Sequence, residues 1–379
     1  MADHQNGYAF LGSLQKENHA APTFSDYARY LEDKARQKGI PLTGLFELTP
    51  LCNLDCRMCY VHLNADQLRS RSVLKPETWK DLMRQALDAG MLHAILSGGE
   101  CLAYPGFEEV YLYLHEHGCE VELLTNGVLL DEKRLSFLLQ YRPSGIQITL
   151  YGQNEDVYER VTGHRVFTRV TDNIRRIAST DLRLDLMITP SDYLGEDALE
   201  TYRLARELCP SVEFTSSLIT PREETGRSAG QHDPELDLMI RLYQLQRELR
   251  GASVREIPAD RLPEPGGPFP DQPPKGLWCS AGRSRFSIDW QGFLYPCNRL
   301  RMIRENPLRD GFLNAWKSVN KQAENWEREP ACEACPYLSV CDPCAATVRQ
   351  YACPGGKPET WCNRTLTLVR CGILNPPNC

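Results

Sequence analysis

Between Gly44 and about Ser217 the chain alternates short aliphatic runs with amphipathic helical stretches, a pattern that few folds accommodate. The strand candidates are Leu45 to Leu48, Ala94 to Ser97, Val121 to Thr125, Ile146 to Leu150, Leu184 to Ile188 and Val212 to Thr215. Helical spacing fills the gaps at Pro76 to Asp88, Phe107 to His117 and Glu132 to Tyr141. Six such βα units are fewer than the eight that close a barrel. The pattern therefore predicts an α/β fold, a partial (β/α)6 TIM-like barrel with its ligands at the strand C-termini.

After about Pro221 the pattern changes. Pro234 to Arg250 reads as one more helix, with Asp233 as its N-cap and Pro234 at its first position. Pro258 to Pro274, dense in Pro and Gly, reads as a linker, and beyond Trp278 periodicity is weak and cysteines set the pattern. The expected organisation is an N-terminal extension at 1–43, a barrel core at 44–220, a helical bridge and linker at 221–278, and a Cys-rich irregular domain at 279–379.

The chain has 16 cysteines, and Met1 to Ala20 is polar, without the basic and apolar regions of a secretory signal. A disulfide framework is thus disfavoured, a cytoplasmic setting is expected, and metal ligation is the better account of the thiols. The formal charge of −7 is mild, with no Lys/Arg stripe interleaved with aromatics, which argues against a nucleic-acid partner. No apolar run is long enough to span a membrane.

The cysteines fall in two groups. Cys52, Cys56 and Cys59 follow the first strand as Cys-x3-Cys-x2-Cys. A cubane held by three thiolates keeps one iron open for a further ligand; zinc, which recruits a fourth ligand, is the other reading. The second strand ends in Ser97-Gly98-Gly99-Glu100, where glycines allow close backbone approach and a carboxylate can meet an ammonium, though Gly-Gly-Glu alone also suits an ordinary turn. Strands three and four end in Thr125-Asn126-Gly127 and Thr149-Leu150-Tyr151-Gly152.

These motifs together resemble the radical S-adenosylmethionine superfamily, over roughly Gly44 to Ser217. The resemblance implies a [4Fe-4S] cluster on Cys52, Cys56 and Cys59 that binds S-adenosylmethionine and cleaves it reductively to a 5′-deoxyadenosyl radical. It implies cofactor contacts from Gly98, Gly99 and Glu100, and assigns Tyr60, Thr125, Asn126 and Thr149 to the same site. Met58 departs from the family, whose residue before the third cysteine is usually aromatic.

The second group comprises Cys279, Cys297 in Gly292-x4-Cys297, Cys332-x2-Cys335, Cys341-x2-Cys344, Cys353 and Cys362. Read alone, the paired cysteines also suit a zinc knuckle. The array resembles the SPASM extension, which holds two auxiliary [4Fe-4S] clusters. By that resemblance Cys279, Cys297 and Cys344 serve the first, and Cys332, Cys335, Cys341 and Cys362 the second. Cys353 either replaces Cys344 or completes the first set. Asp289 is a candidate base for oxidising a substrate radical, with a solvated loop carboxylate as the plainer reading, while Cys101, Cys119, Cys209, Cys371 and Cys379 read as ordinary thiols.

The layout resembles that of enzymes that oxidise or cross-link side chains of ribosomal peptides, which implies a peptide or protein substrate and a small electron donor such as flavodoxin or ferredoxin. Formylglycine formation on a sulfatase and oxidation of a small alcohol or sugar use similar machinery. A non-catalytic zinc-binding module is the alternative of another class.

Overall fold

The computed structural model describes residues 24–69, 71–227, 232–251, 275–333, 335, 337–341, 344–351 and 359–374. The linker at Pro258 to Pro274, Cys353 and Cys379 lie outside them. The strands are β1 Thr43–Glu47, β2 His93–Ser97, β3 Glu120–Thr125, β4 Gly145–Leu150, β5 Leu184–Ile188, β6 Val212–Phe214, β7 Arg285–Ile288 and β8 Leu294–Tyr295. Among the described residues they form one open sheet in the order β6-β5-β4-β3-β2-β1-β7-β8. All pairs are parallel except β7 with β8.

Helices α1 Phe24–Lys38, α2 Pro76–Asp88, α3 Phe107–Glu116, α4 Glu132–Gln140, α5 Glu155–Thr162, α6 Phe167–Ala178 and α7 Asp197–Leu208 precede or connect the first six strands. The reason for α2 is local: Pro76 opens it, and Trp79, Leu82, Met83 and Ala86 recur at helical spacing and are buried. Strand periodicity then positions the site. In β4, Ile146, Ile148 and Leu150 are fully buried, while Gln147 and Thr149 point the other way into a cavity. Met187 of β5 does the same. Among the described residues no helix is long and apolar enough to cross a membrane.

Two elements differ from expectation. Helix α8 runs Leu236–Leu249, starting after Pro234. Asp233 caps nothing there, because its Oδ1 accepts the Leu218 N–H at 2.6 Å and ties this segment to the chain beyond β6. More consequentially, the region beyond Trp278 supplies β7 and β8. Strand β7 adds to the free edge of β1, pairing Gly44 with Phe286 and Phe46 with Ile288. Phe286 sits edge-on to Phe46 at 5.8 Å and meets Phe312 and Trp316 of α9 Phe312–Glu324 at 5.0 and 6.0 Å. The C-terminal region therefore begins inside the barrel's own core.

Truncating that contact tests the graft. Phe286→Ala should lower stability by about 3–5 kcal/mol through a cavity shared by β1, β7 and α9, read as a lower urea midpoint by far-ultraviolet circular dichroism.

Candidate active site

The β1–β2 pairing continues past both strands into the first cysteine loop. Leu48 donates to the Ser97 carbonyl (2.9 Å), Gly99 to that of Thr49 (2.7 Å), and Glu100 to that of Leu51 (2.9 Å). Side chains would block this approach. A Cβ on Gly98, whose φ is +143°, would lie 2.5 Å from the Thr49 carbonyl oxygen, and one on Gly99 would lie 2.4 Å from that of Leu51. The two glycines thus serve the approach of the protein's own backbone. The loop is also pinned to α5, with Asp55 and Arg57 N–H donating to the Thr162 and Val161 carbonyls, and Leu63 N–H closes it onto Pro50.

Cys52, Cys56 and Cys59 all line one cavity of about 310 Å³. The Cys52 sulfur accepts from Leu54 N–H (3.4 Å) and Asn126 Nδ2 (3.5 Å), and the Cys59 sulfur from His62 N–H (3.3 Å). Burial, aided by the Glu100 charge, pushes the Cys52 thiol up to about 12, and burial raises Cys56 and Cys59 as well. Such thiols become thiolates readily only when a cation takes up their charge, which is what an iron cluster brings. Amide N–H groups aimed at sulfur suit the same group.

Of the other expected site residues, Gly98, Gly99, Tyr60, Thr125, Asn126 and Thr149 line this cavity, and Glu100 does not. Glu100 is 1% exposed and accepts from Thr125 Oγ1 (2.8 Å), Asn126 N–H (2.8 Å) and Leu102 N–H (3.0 Å). Its burial raises its pKa against those donors. The expectation that its carboxylate faces the cleft is corrected: it stands behind the wall and fixes the end of β3. Asn126, held there, bridges Asn53 Oδ1 (2.9 Å) and Cys52.

Several lining residues escaped the sequence reading. Thr189 and Thr215 directly follow β5 and β6, so the strand-end rule that singled out Thr149 would have found them. Asn298 and Arg299, from the loop after Cys297, carry no such signal. Arg222 lies outside this cavity and carries no such signal either; its Nη2 lies 2.7 Å from both Glu47 oxygens with both side chains buried. Tyr60 connects the two, donating to Glu47 (3.3 Å) and accepting from Asn298 Nδ2 (3.4 Å).

The second cysteine group sorts into two neighbourhoods. Burial together with Cys279 and Cys344 pushes the Cys297 thiol up to about 11. Burial together with Cys341, Cys362 and Cys335 does the same to Cys332. Among the described residues no three His, Cys, Asp or Glu side chains converge on a single-ion site; a cubane needs a looser gathering, one thiolate to each iron.

Asp289 is corrected as a base. It is fully buried, lies outside the cysteine cavity, and accepts from Gln291 and Phe293 N–H (both 3.1 Å), Tyr295 Oη (3.0 Å) and Arg301 Nη2 (2.8 Å). A carboxylate holding four donors organises the β7–β8 turn. Cys101, Cys119 and Cys209 are buried thiols donating to the carbonyls of Leu124, Leu92 and Leu184, as ordinary core cysteines do.

The radical SAM superfamily pattern matches residues 46–208. PqqA peptide cyclase of Rhodopseudomonas palustris is 33% identical over 317 residues, 80% of this chain and 81% of that protein. This chain belongs to the radical SAM superfamily. Mycofactocin maturase MftC of Mycolicibacterium smegmatis is 27% identical over 327 residues, 83% of this chain and 80% of that protein. Streptococcus suis SuiB, solved bound to precursor peptide SuiA, shares the fold with a TM-score of 0.66 at 16% identity, over 94% of this chain and 88% of that one. As a radical SAM enzyme with a SPASM extension, the chain uses S-adenosylmethionine, a [4Fe-4S] cluster and auxiliary clusters.

The glycine geometry gives a paired test. Gly99→Ala should displace the Thr49–Leu51 backbone and cost the reconstituted protein about four irons per chain. Gly145→Ala, whose Cβ would meet nothing nearer than 3.7 Å, should keep its full complement by iron and sulfide assay.

Proposed function

We propose that this chain modifies a peptide or protein side chain by radical hydrogen abstraction. The observation that carries the reading is the 33% identity to a peptide cyclase over 317 residues, 80% of the chain. The cavity itself supports it: its walls come from the strand ends and also from Asn298 and Arg299, which follow Cys297. The machinery of both regions thus meets one space.

In this reading Cys52, Cys56 and Cys59 hold the first cluster. Cys279, Cys297 and Cys344 belong to one auxiliary cluster and Cys332, Cys335, Cys341 and Cys362 to the other, while Cys353 lies outside the described residues. The first cluster, with S-adenosylmethionine at its open iron, supplies the one-electron chemistry that generates the adenosyl radical. The chain's own residues bind, orient and exclude water. Gly98 and Gly99 offer backbone at the cavity wall, Gln147, Thr149, Thr189 and Thr215 offer polar atoms from strand ends, and Met58 and Tyr60 offer apolar and aromatic surface. The electron comes from a small donor of the flavodoxin or ferredoxin class, and the reduced thiols suit a cytoplasmic setting.

Cys52→Ala, Cys56→Ala and Cys59→Ala combined should abolish 5′-deoxyadenosine formation under dithionite yet retain about eight of about twelve irons. Undiminished cofactor cleavage in that variant would refute the ligand assignment. For the substrate, mass spectrometry should show a short peptide encoded beside this chain changing mass only when S-adenosylmethionine and reductant are both present. Oxidation of a small alcohol, with every such peptide left unchanged, would overturn the peptide reading.

A further inference from the structure

A second, larger cavity of about 930 Å³ adjoins the first, and Ile219, Asn298 and Arg299 line both. Its walls are the segment after β6, the loop after Cys297 and helix α10 Ala345–Tyr351. Six arginines line it: Arg71, Arg222, Arg299, Arg301, Arg304 and Arg349, against only Glu223 and Glu224. Glu47 and Asp289, behind the wall, neutralise Arg222 and Arg301, which leaves a net excess of positive charge facing the space.

The arginines are only partly used by the protein. Arg71, Arg304 and Arg349 form no ion pair among the described residues, and the guanidinium carbons of Arg304 and Arg349 stand over Phe293 and Trp326, 3.5 and 4.8 Å from the ring centroids. Arg222 is 6% exposed, and its Nε and Nη1 are buried without an acceptor among the described residues. Arg301 Nη1 is in the same state. Buried guanidinium N–H groups are costly when unmatched, and a carboxylate is the acceptor whose geometry fits them. Since Ile219, Asn298 and Arg299 line both this cavity and the one holding Cys52, Cys56 and Cys59, a chain lying along these arginines lies beside the radical site.

We infer that the larger cavity holds an acidic segment of the peptide substrate, with Asp or Glu carboxylates on the arginines and the reacting residue directed past Arg299 into the smaller cavity. This rests on the peptide-modifying reading and adds the chemical class of the peptide.

The test uses the fully reconstituted enzyme, anaerobically, and fluorescence anisotropy of labelled hexaglutamate, hexaglutamine and hexalysine peptides. Hexaglutamate should bind at least tenfold more tightly than hexaglutamine, with hexalysine weaker still. Combined Arg71→Glu, Arg304→Glu and Arg349→Glu, all at exposed positions, should remove that preference while iron content and melting temperature stay the same. Equal binding of hexaglutamine, or an intact preference in the triple variant, would overturn the inference. So would tighter binding of a labelled hexathymidylate, which would mark a nucleic-acid groove, or displacement of hexaglutamate by inorganic phosphate well below the chloride concentration that displaces it, which would mark a small-anion site. Formation of 5′-deoxyadenosine in the same preparation separates the failures: if it persists without the preference, the acidic segment alone is refuted.

Discussion

The site depends on two peptide backbones lying closer together than any side chain would permit. At Gly98 and Gly99 the chain leaving β2 runs against Thr49 to Leu51, and the hydrogen bonds of the β1–β2 ladder continue beyond both strands. A loop that would otherwise lose much conformational entropy on ordering is thereby launched from a rigid sheet. Its far end is closed by Leu63 on Pro50 and its middle by α5. Three thiols spaced over eight residues are then presented to one cavity without any contact among themselves having to enforce it.

A second constraint acts across the mouth of the fold. In the sheet order β6 and β1 are separated by four strands, so no ladder joins them. The buried Glu47–Arg222 pair does, linking the last residue of β1 to the segment after β6, and Arg222 N–H also donates to the Tyr60 carbonyl (3.2 Å). Burial works against the Arg222 charge, but Glu47 outweighs it and the guanidinium stays firmly protonated. A pair of this kind tolerates loss of either partner poorly, because the other is left charged and buried. It holds curvature where backbone pairing is absent, and it sets Tyr60 over the cavity.

What was legible in the sequence follows from the range over which each signal acts. Strand β5 runs over the residues its apolar run marks, and α2 over those that Pro76 and its apolar spacing mark, since both are decided locally. The cysteine triplet was legible because its spacing is itself the chemistry. Strand β7 was not: four residues are too few for periodicity, and its partner β1 lies some 240 residues earlier. Glu100 was misread for a related reason. Its place after Gly98 and Gly99 was right, but which way a carboxylate faces depends on who donates to it, and Thr125 and Asn126 lie a full βα unit away. Asp289 failed in the same manner, its partners Tyr295 and Arg301 being set by a turn with no sequence signature.

The C-terminal region divides along the same physical line. Its first part, with β7, β8 and α9, is ordered by apolar burial against β1, where Phe286, Phe312, Trp316 and Val319 are all buried. Its second part has different resources. Pro330–Glu333 and Leu338–Cys341 are single turns, far below the length at which a helix stands alone. They place Cys332, Cys335 and Cys341 together and bring them to Cys362 on the helix Glu359–Arg370. Four partly buried thiols, with Cys332 and Cys341 pushed up by burial and by the cysteines beside them, are a poor core until iron neutralises them. Under the proposed ligand assignment, iron–thiolate bonds do there what aromatic packing does at Phe286. The auxiliary region is thus anchored to the barrel by hydrophobic contact and organised within itself by metal under that assignment, so that Arg299 and Arg301, in the loop between β8 and α9, are held at the cavities from the barrel side.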